Sequence, residues 1–345
     1  MQSRANTGNI PFANPMSINW PRFCEIVKNS HDILLTSHIR PDCDALGSEL
    51  GMAGILESLG KKVRIVNGHP TPPNLAFIDP TKRIGVIGQN VALADLQSCD
   101  LMMVLDTSAW AQLGAMGDVL KSLSCKKIIL DHHESDEDLG AEPFKNTKAE
   151  AAGRLVMEAA DALGVTLTPE MATPLFAAIA TDTGWFRFGS ASAYTYQLAA
   201  KLIDAGAKPS AIYNSLYERE TLGRVRLRGI ILSRVTTELE GRLAHTYVLN
   251  EDFASTGALP SDTEDVVNQA LGIEGTQFAV IMVEQTTGGF KLSFRSRCAV
   301  NCNELAAQFG GGGHKAAAGA FVAGPFSEVQ PRVLDAVRSA LNNSR

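Results

Sequence analysis

The chain has 345 residues, 45% of them hydrophobic and 20% charged; at about 150 residues per domain this is material for two packed domains and excludes a wholly disordered chain. Thirty glycines and 15 prolines are near ordinary frequencies, which excludes a collagen-like or low-complexity polymer. The formal net charge of -6 argues against long duplex DNA as the partner, although a short nucleotide needs only a local basic pocket.

In chain order, residues 1–16 hold Asn, Gly and Pro without an apolar signal-peptide core. They read as a flexible leader, with Met16 as an alternative start. Residues 32–36 (D-I-L-L-T) are short and apolar, a buried strand. A helix is predicted over 45–59, stopped by Gly60, and strands over 62–66, 101–105 and 127–130. Helices follow over 149–163, 169–180 and 192–205, each closed by a glycine or opened by a proline. Strands separated by helices imply parallel β-α-β units. Residues 211–235 read as one or two helices rich in Arg and Glu. Strands are then expected over 243–249, 278–284 and 290–295, the last two joined by a T-T-G-G turn, with helices over 303–309 and 328–341. The fold class is α/β: a parallel-sheet domain over 17–208, a helical linker over 209–235, and a smaller α+β domain over 236–345. No internal repeat is visible.

The six cysteines form no C-x-x-C pair, so a zinc ribbon, a redox motif or a disulfide framework is not expected and a cytoplasmic location is. No window of 18 unbroken apolar residues occurs, so no membrane span is predicted.

Residues that can carry chemistry gather just past strand ends, the edge at which open α/β sheets bind ligands. The first strand is followed by S-H-I-R-P-D-C-D-A-L-G-S, with His38, Asp42 and Asp44; Asp44 as a helix N-cap in a plain polar turn is the alternative. Asp106 ends an apolar strand, as ligand or as cap. Asp131, His132 and His133 end another, a concentration of ligand types that a structural role explains poorly. Asp182, in A-I-A-T-D-T-G-W-F-R-F, ends a helix and opposes its macrodipole unless a cation compensates. Trp185, Phe186 and Phe188 read as core or interface aromatics before a base-stacking platform.

If Asp42, Asp44, Asp106 and Asp182 converge, four negative charges need compensation. Two divalent cations would supply it and also use His38 and His132. Carboxylate with imidazole favours Mn²⁺, with Mg²⁺, Co²⁺ or Zn²⁺ as alternatives. Two cations about 3.5–4 Å apart can generate a hydroxide and clamp an in-line phosphoryl displacement. A fifth segment, F-G-G-G-G-H-K, offers Gly310, Gly311, Gly312 and Gly313 as a backbone cradle for a phosphate, with His314 and Lys315 as donors. Arg295 can grip a phosphate or carboxylate; a floppy surface loop is the alternative for the glycines. No P-loop, G-x-G-x-x-G or G-x-S-x-G motif competes.

Taken together, these segments in this order resemble the DHH phosphoesterase superfamily, in its subgroup with a DHH-associated C-terminal domain. The resemblance covers nearly the whole chain after the leader. It implies a DHH catalytic domain, a substrate-binding second domain and an active site in the cleft between them. It implies that His38, Asp42 and Asp106 bind one metal and that Asp44, Asp106, His132 and Asp182 bind the other. His133 would face the scissile phosphate, with Asp131 orienting an imidazole and Asp106 bridging the metals as part of the catalytic set. Arg295, Gly310–Gly313 and His314 would take the far phosphate or terminal nucleotide. The implied activity is hydrolysis of short single-stranded RNAs or dinucleotides (about two to five nucleotides) and of 3′-phosphoadenosine 5′-phosphate (pAp), by a cytoplasmic enzyme for which a homodimer is one expected state. A phosphodiesterase for signalling dinucleotides, linear or cyclic, a pyrophosphatase and a non-catalytic nucleotide-binding regulator remain open. One departure stands out: the family has glycine between the first two aspartates, where this chain has Cys43, and a thiolate there would draw the metal preference toward zinc.

Overall fold

A computed structural model describes residues 18–134, 137–263 and 266–343; the predicted leader lies outside them. The chain divides after Glu218 into two compact units. The first contains α1 (Trp20–Asn29), β1 (Asp32–Thr36), α2 (Cys43–Ser58), β2 (Lys62–Asn67), β3 (Ile84–Val86), β4 (Leu101–Leu105), α3 (Trp110–Leu113), α4 (Ala115–Ser122), β5 (Lys126–Asp131), β6 (Glu142–Lys145), α5 (Ala152–Leu163), α6 (Pro169–Asp182), α7 (Ala193–Asp204) and α8 (Pro209–Tyr217).

Its six strands pair in the order β3-β2-β1-β4-β5-β6, all parallel. The central strands are apolar without alternation because both faces are covered. Ile33, Leu35, Leu101, Met103, Ile128 and Leu130 point to one helical layer, and Leu34, Met102, Val104 and Ile129 to the other. The chain winds outward from β1 in one direction through β3 and from β4 in the other through β6. The carboxyl ends of β1 and β4 therefore flank a topological switch point.

Helix α2 is buried along nearly its whole length. Gly47, Gly51 and Gly54 share the face that meets α6. A Cβ on Gly47 would stand 2.3 Å from the Pro174 carbonyl oxygen, and one on Gly51 2.5 Å from Leu175 Cδ2. The glycines let the two helices approach closely, and the N-terminus of α2 arrives beside the C-terminus of α6.

The second unit holds α9 (Leu222–Ser233), β7 (Thr236–Glu238), β8 (Leu243–Val248), α10 (Asn250–Thr256), α11 (Val266–Leu271), β9 (Phe278–Glu284), β10 (Phe290–Ser296), α12 (Cys302–Ala307), β11 (Gly312–Gly313), β12 (Ala317–Val322) and α13 (Phe326–Asn343). Its sheet runs β11-β12-β10-β9-β8-β7 and is antiparallel except for β8 beside β9. The hairpin of β9 and β10 turns through Gly288 and Gly289, both at positive φ. Phe278, Val280 and Met282 face α12 and α13, while Ala279, Ile281 and Val283 face α9 and α11.

The division between units falls inside the helical segment 209–235. Ile212 of α8 joins the first core, whereas Leu227 and Ile231 of α9 pack on Ala244 and Val248. Among the described residues no helix is long and apolar enough to cross a membrane.

Candidate active site

The cluster at the switch point is built by backbone geometry. Past β1, Asp42 caps α2: its Oδ1 accepts the amides of Asp44 (2.9 Å) and Ala45 (3.0 Å). The capping residue is thus Asp42, not Asp44. Asp44 is buried and accepts from the first amides of α5, Ala152 (2.7 Å) and Gly153 (2.9 Å), and from Ser48 Oγ at 3.3 Å. It caps a helix a hundred residues away, whose positive end offsets its charge. Gly153 lets α5 lie close to both α6 and Asp44, since a Cβ there would lie 2.8 Å from Ala178 Cβ and 3.4 Å from Asp44 Oδ1.

Asp106 leaves β4 with φ at 59°, a left-handed conformation uncommon outside glycine, and is 2% exposed. Its amide donates to the Leu130 carbonyl at 3.1 Å, which holds the turn. Asp182 closes α6, and Gly184, Trp185 and Phe186 follow at positive φ in one left-handed turn. Arg187 N–H and Phe188 N–H both donate to the Thr183 carbonyl at 3.0 Å across it. Trp185 packs edge-on to Phe176, Tyr213 and Tyr217, and Phe186 stacks on Tyr196. Phe188 is exposed in its unit.

Two imidazoles are aimed by carbonyls. His38 Nδ1 donates to the Ile39 carbonyl (2.9 Å) and His132 Nδ1 to that of Ala149 (3.1 Å), so both present Nε2 to the carboxylates. His38 Nε2 lies 3.8 Å from Asp42 Oδ1 and 3.4 Å from Asp106 Oδ2. His132 Nε2 lies 3.3 Å from Asp106 Oδ1 and 3.7 Å from both Asp44 and Asp182. His133 differs: its Nδ1 donates to Asp131 Oδ1 at 2.8 Å and its ring is half exposed. Asp131 is fully buried, and its other oxygen accepts from Ser108 Oγ at 2.7 Å with Lys145 Nζ 3.5 Å away.

Crowding shows in the proton affinities. Burial opposes protonation of His38, but Asp106 and Asp42 overcome it and lift the ring to about 11. His132 is likewise lifted to about 10 against burial, by Asp106, Asp44 and Asp182. Burial first, then Asp106 and Asp42, raise Asp182 to about 6. Burial and the charges of Asp106 and Asp182 push Asp44 well above the usual carboxylate range. The cluster therefore demands positive charge, and protons on imidazoles meet only part of the demand.

The residues fit divalent cations. Among the described residues, Asp106 Oδ1 is buried without a hydrogen-bond donor, a deficit that a cation removes. Three ligand groups overlap within 4.8 Å: His38, Asp42 and Asp106; Asp44, His132 and Asp182; and Asp106, His132 and His133. Mixed oxygen and imidazole donors suit Mn²⁺ or its neighbours. No cysteine belongs to these groups. Cys43 opens α2 from the core side, its thiol beside Thr181 and pushed by burial up to about 12.

In the second unit, the glycine run differs from the expected backbone cradle. The amides of Gly310 and Gly311 donate to the carbonyls of Ala307 and Ala306, that of Gly313 to Asn303 Oδ1, and that of His314 to the Ala317 carbonyl. Gly312 and Gly313 pair with β12. A Cβ on Gly311 would sit 2.1 Å from the Gly319 carbonyl oxygen. Gly311 and Gly313 serve close chain packing, and the amides of Gly310, Gly311, Gly313 and His314 are spent internally. His314 and Lys315 remain exposed, and Arg295 lies opposite Ala317 on the adjacent strand.

Ser108 and Lys145, which hold Asp131, were not among the residues expected from sequence. Both stand at carboxyl ends, Ser108 two residues beyond Asp106 and Lys145 closing β6, so the strand-end rule applied to every strand would have found them.

Residues 32–179 match the DHH family, N-terminal domain, and residues 241–343 match the DHHA1 domain. The chain is 30% identical over 318 residues to the bifunctional oligoribonuclease and PAP phosphatase NrnA of Thermus thermophilus, covering 90% of this chain and 91% of that one. The protein of the same name from Bacillus subtilis is 27% identical over 293 residues, covering 84% and 89%. An exopolyphosphatase-related protein from Bacteroides fragilis, a solved structure, superposes with a TM-score of 0.82 at 27% identity, covering 94% and 95%. Fold and site thus define a phosphoesterase. The chain belongs to the DHH family and carries a DHHA1 domain.

Proposed function

We propose that this protein hydrolyses short oligoribonucleotides to mononucleotides and removes the 3′-phosphate of pAp, using two divalent cations, preferably Mn²⁺. One observation carries the reading: the buried Asp106 carboxylate, its Oδ1 without a donor, lies between the His38 and His132 imidazoles and is shared by overlapping ligand groups. The relatives named for oligoribonuclease and PAP phosphatase activity, matched over nearly their full length, supply the substrate class.

His38, Asp42 and Asp106 would hold one cation, and Asp44, Asp106, His132 and Asp182 the other. When bound, the cations supply Lewis-acid charge at the scissile phosphate and an acidified water as nucleophile. The left-handed turn at Asp106 aims both its oxygens into the site, and the carbonyls of Ile39 and Ala149 fix the rings that flank it. His133 is committed through Nδ1 to Asp131, so its Nε2 is left for the substrate. The hydrogen bond to Asp131 raises the proton affinity of His133, and the charged ring donates to a phosphate oxygen as negative charge develops. Asp131 stays ionised although burial opposes it, because His133 and Ser108 donate to it.

Arg295 and His314 would bind the substrate's far phosphate or terminal nucleotide through side chains, with Gly310–Gly313 shaping the loop between them. The acidic chain fits short single strands, since long ones want an extended basic groove.

A 5′-labelled diribonucleotide and pAp, incubated with purified protein and Mn²⁺, test the proposal. Mononucleotides from the first and AMP with phosphate from the second are expected, both lost in Asp106→Ala. Intact dinucleotide beside rapid turnover of cyclic dinucleotides or pyrophosphate would reject it.

A further inference from the structure

Outside the ligand cluster, buried polar groups converge at the carboxyl ends of β1 and β2. Thr36, Ser37, Glu49 and Asn67 are all 0% exposed. Asn67 Nδ2 donates to Glu49 Oε2 at 2.9 Å. Asn67 Oδ1 accepts from the Ser37 amide at 3.1 Å and from Thr36 Oγ1 at 3.3 Å. Ser37 precedes His38, and the Ile39 amide beyond it is fixed by the Gln112 carbonyl at 2.6 Å. The turn that presents His38 is therefore pinned at two points, and Asn67 is one of them.

Asn67 is itself oriented by Glu49, which α2 projects into the interior. Among the described residues, two atoms here have no hydrogen-bond partner placed for them, Glu49 Oε1 and Ser37 Oγ. The Ser37 hydroxyl is near enough to the carboxyl to bear on its proton affinity. An ionised carboxylate can accept from Asn67 Nδ2 and from the Ser37 hydroxyl, but it would still be a charge shut away from water. A neutral carboxylic acid avoids that charge, and its hydroxyl can donate to Ser37 Oγ while Oε2 keeps the bond from Asn67. In either protonation state Glu49 Oε1 and Ser37 Oγ can serve each other. Burial pushes the carboxyl's pKa up to about 7, against the hydrogen bonds from Asn67 and Ser37 that favour the ionised form.

We propose that Glu49 is a positioning residue: it holds Asn67 and Ser37, and through them the turn that aims His38 at its metal. This rests on the reading of His38 as a metal ligand, but not on the identity of the substrate.

Calorimetric titration of the metal-free full chain with Mn²⁺ tests it. Glu49→Gln keeps a neutral donor and acceptor at the same places and should bind Mn²⁺ within about twofold of the parent protein. Glu49→Ala should weaken one of the two Mn²⁺ sites by about 10- to 100-fold, the usual effect of removing a partner behind a ligand. Should that variant fail to fold, Ser37→Ala removes only the hydroxyl and should weaken the same site less. Unchanged Mn²⁺ binding in Glu49→Ala, or in Ser37→Ala when the former does not fold, overturns the proposal. So does a Glu49→Gln protein as impaired as Glu49→Ala. A protein that binds two Mn²⁺ as expected yet leaves dinucleotide intact would sink the proposed function and leave this inference standing.

Discussion

The switch-point cluster and the glycine loop both look like ligand sites in the sequence, yet they are built on opposite principles. At the cluster, the local rules of folding are broken: a buried acid sits in a left-handed turn, a carboxylate closes a helix, and an oxygen lacks a donor. At the loop the same rules are obeyed: the amides of Gly310, Gly311 and Gly313 have internal acceptors, and Gly311 and Gly313 stand where a Cβ would collide. Unmet electrostatic demand therefore marks chemistry more surely than backbone permissiveness does. Experiments can press on that contrast from either side.

The largest effect is expected on the cluster side, at His133. Its ring is tied to Asp131 and half exposed, so His133→Ala should lower kcat by about 10²- to 10³-fold, as for loss of one preorganised donor. Mn²⁺ binding, read by calorimetry, should persist. If Mn²⁺ affinity falls together with kcat, His133 is a ligand and the third overlapping group is a real one.

Next in size is a pH effect. In the metal-free protein the His38 and His132 rings lie near 11 and 10, so both carry protons at neutral pH. A metal needs the neutral ring, and each cation bound must expel a proton. Mn²⁺ affinity should therefore climb with pH between 6.5 and 8.5, by about tenfold per unit for each proton expelled. Titrations in buffers of different ionisation enthalpy count those protons; a count of zero breaks the account. The sign for stability runs the other way. Without metal, the two raised rings stabilise the fold fully below about 6.5, and that support is lost as pH rises through 10 to 11. Metal-free protein should thus lose Tm at high pH while metal-loaded protein does so less.

On the loop side the expected effects are smaller and concern stability. Gly311→Ala puts a methyl 2.1 Å from the Gly319 oxygen and should destabilise the second unit by about 1–3 kcal/mol or more. Gly312→Ala meets only Asn303 Oδ1 at 3.4 Å and should leave Tm nearly unchanged. A backbone phosphate cradle predicts the reverse ranking on KM, with Gly312→Ala as harmful as any. Measuring Tm and KM for both variants decides between packing and cradle.

Much of this architecture is legible in the chain because burial on two faces leaves strands such as β1 and β4 apolar without interruption. Acids and histidines directly after such runs then map to one edge of the sheet. Short strands escape: β3 and β6 have three and four residues, and β11 has two glycines. Their existence depends on a neighbour already in place. The capping of α5 by Asp44 is invisible for the same reason, since the donor and the acid meet only after α2 has packed. The division inside 209–235 follows from which core receives Ile212 and which receives Leu227, and helical periodicity alone does not tell them apart.

The finest test lies at Cys43, where sequence raises zinc as an alternative. The thiol stands beside Thr181 on the core side of α2, while Asp42 and Asp44 face the imidazoles. Consecutive helical positions diverge by about 100°, so the residue between two site-facing acids need not face the site itself. Burial also keeps the thiol protonated at neutral pH, and a protonated thiol is not a ligand. Cys43→Ser should therefore leave the ranking of Mn²⁺ over Zn²⁺ in activity and affinity unchanged, with Tm lower by a few degrees because a less apolar group replaces the thiol, a shift that corresponds to about 1 kcal/mol. A switch of metal preference in this variant would mean that the thiol reaches the cluster, and that the line drawn here between a packed residue and a working one fails at its closest point.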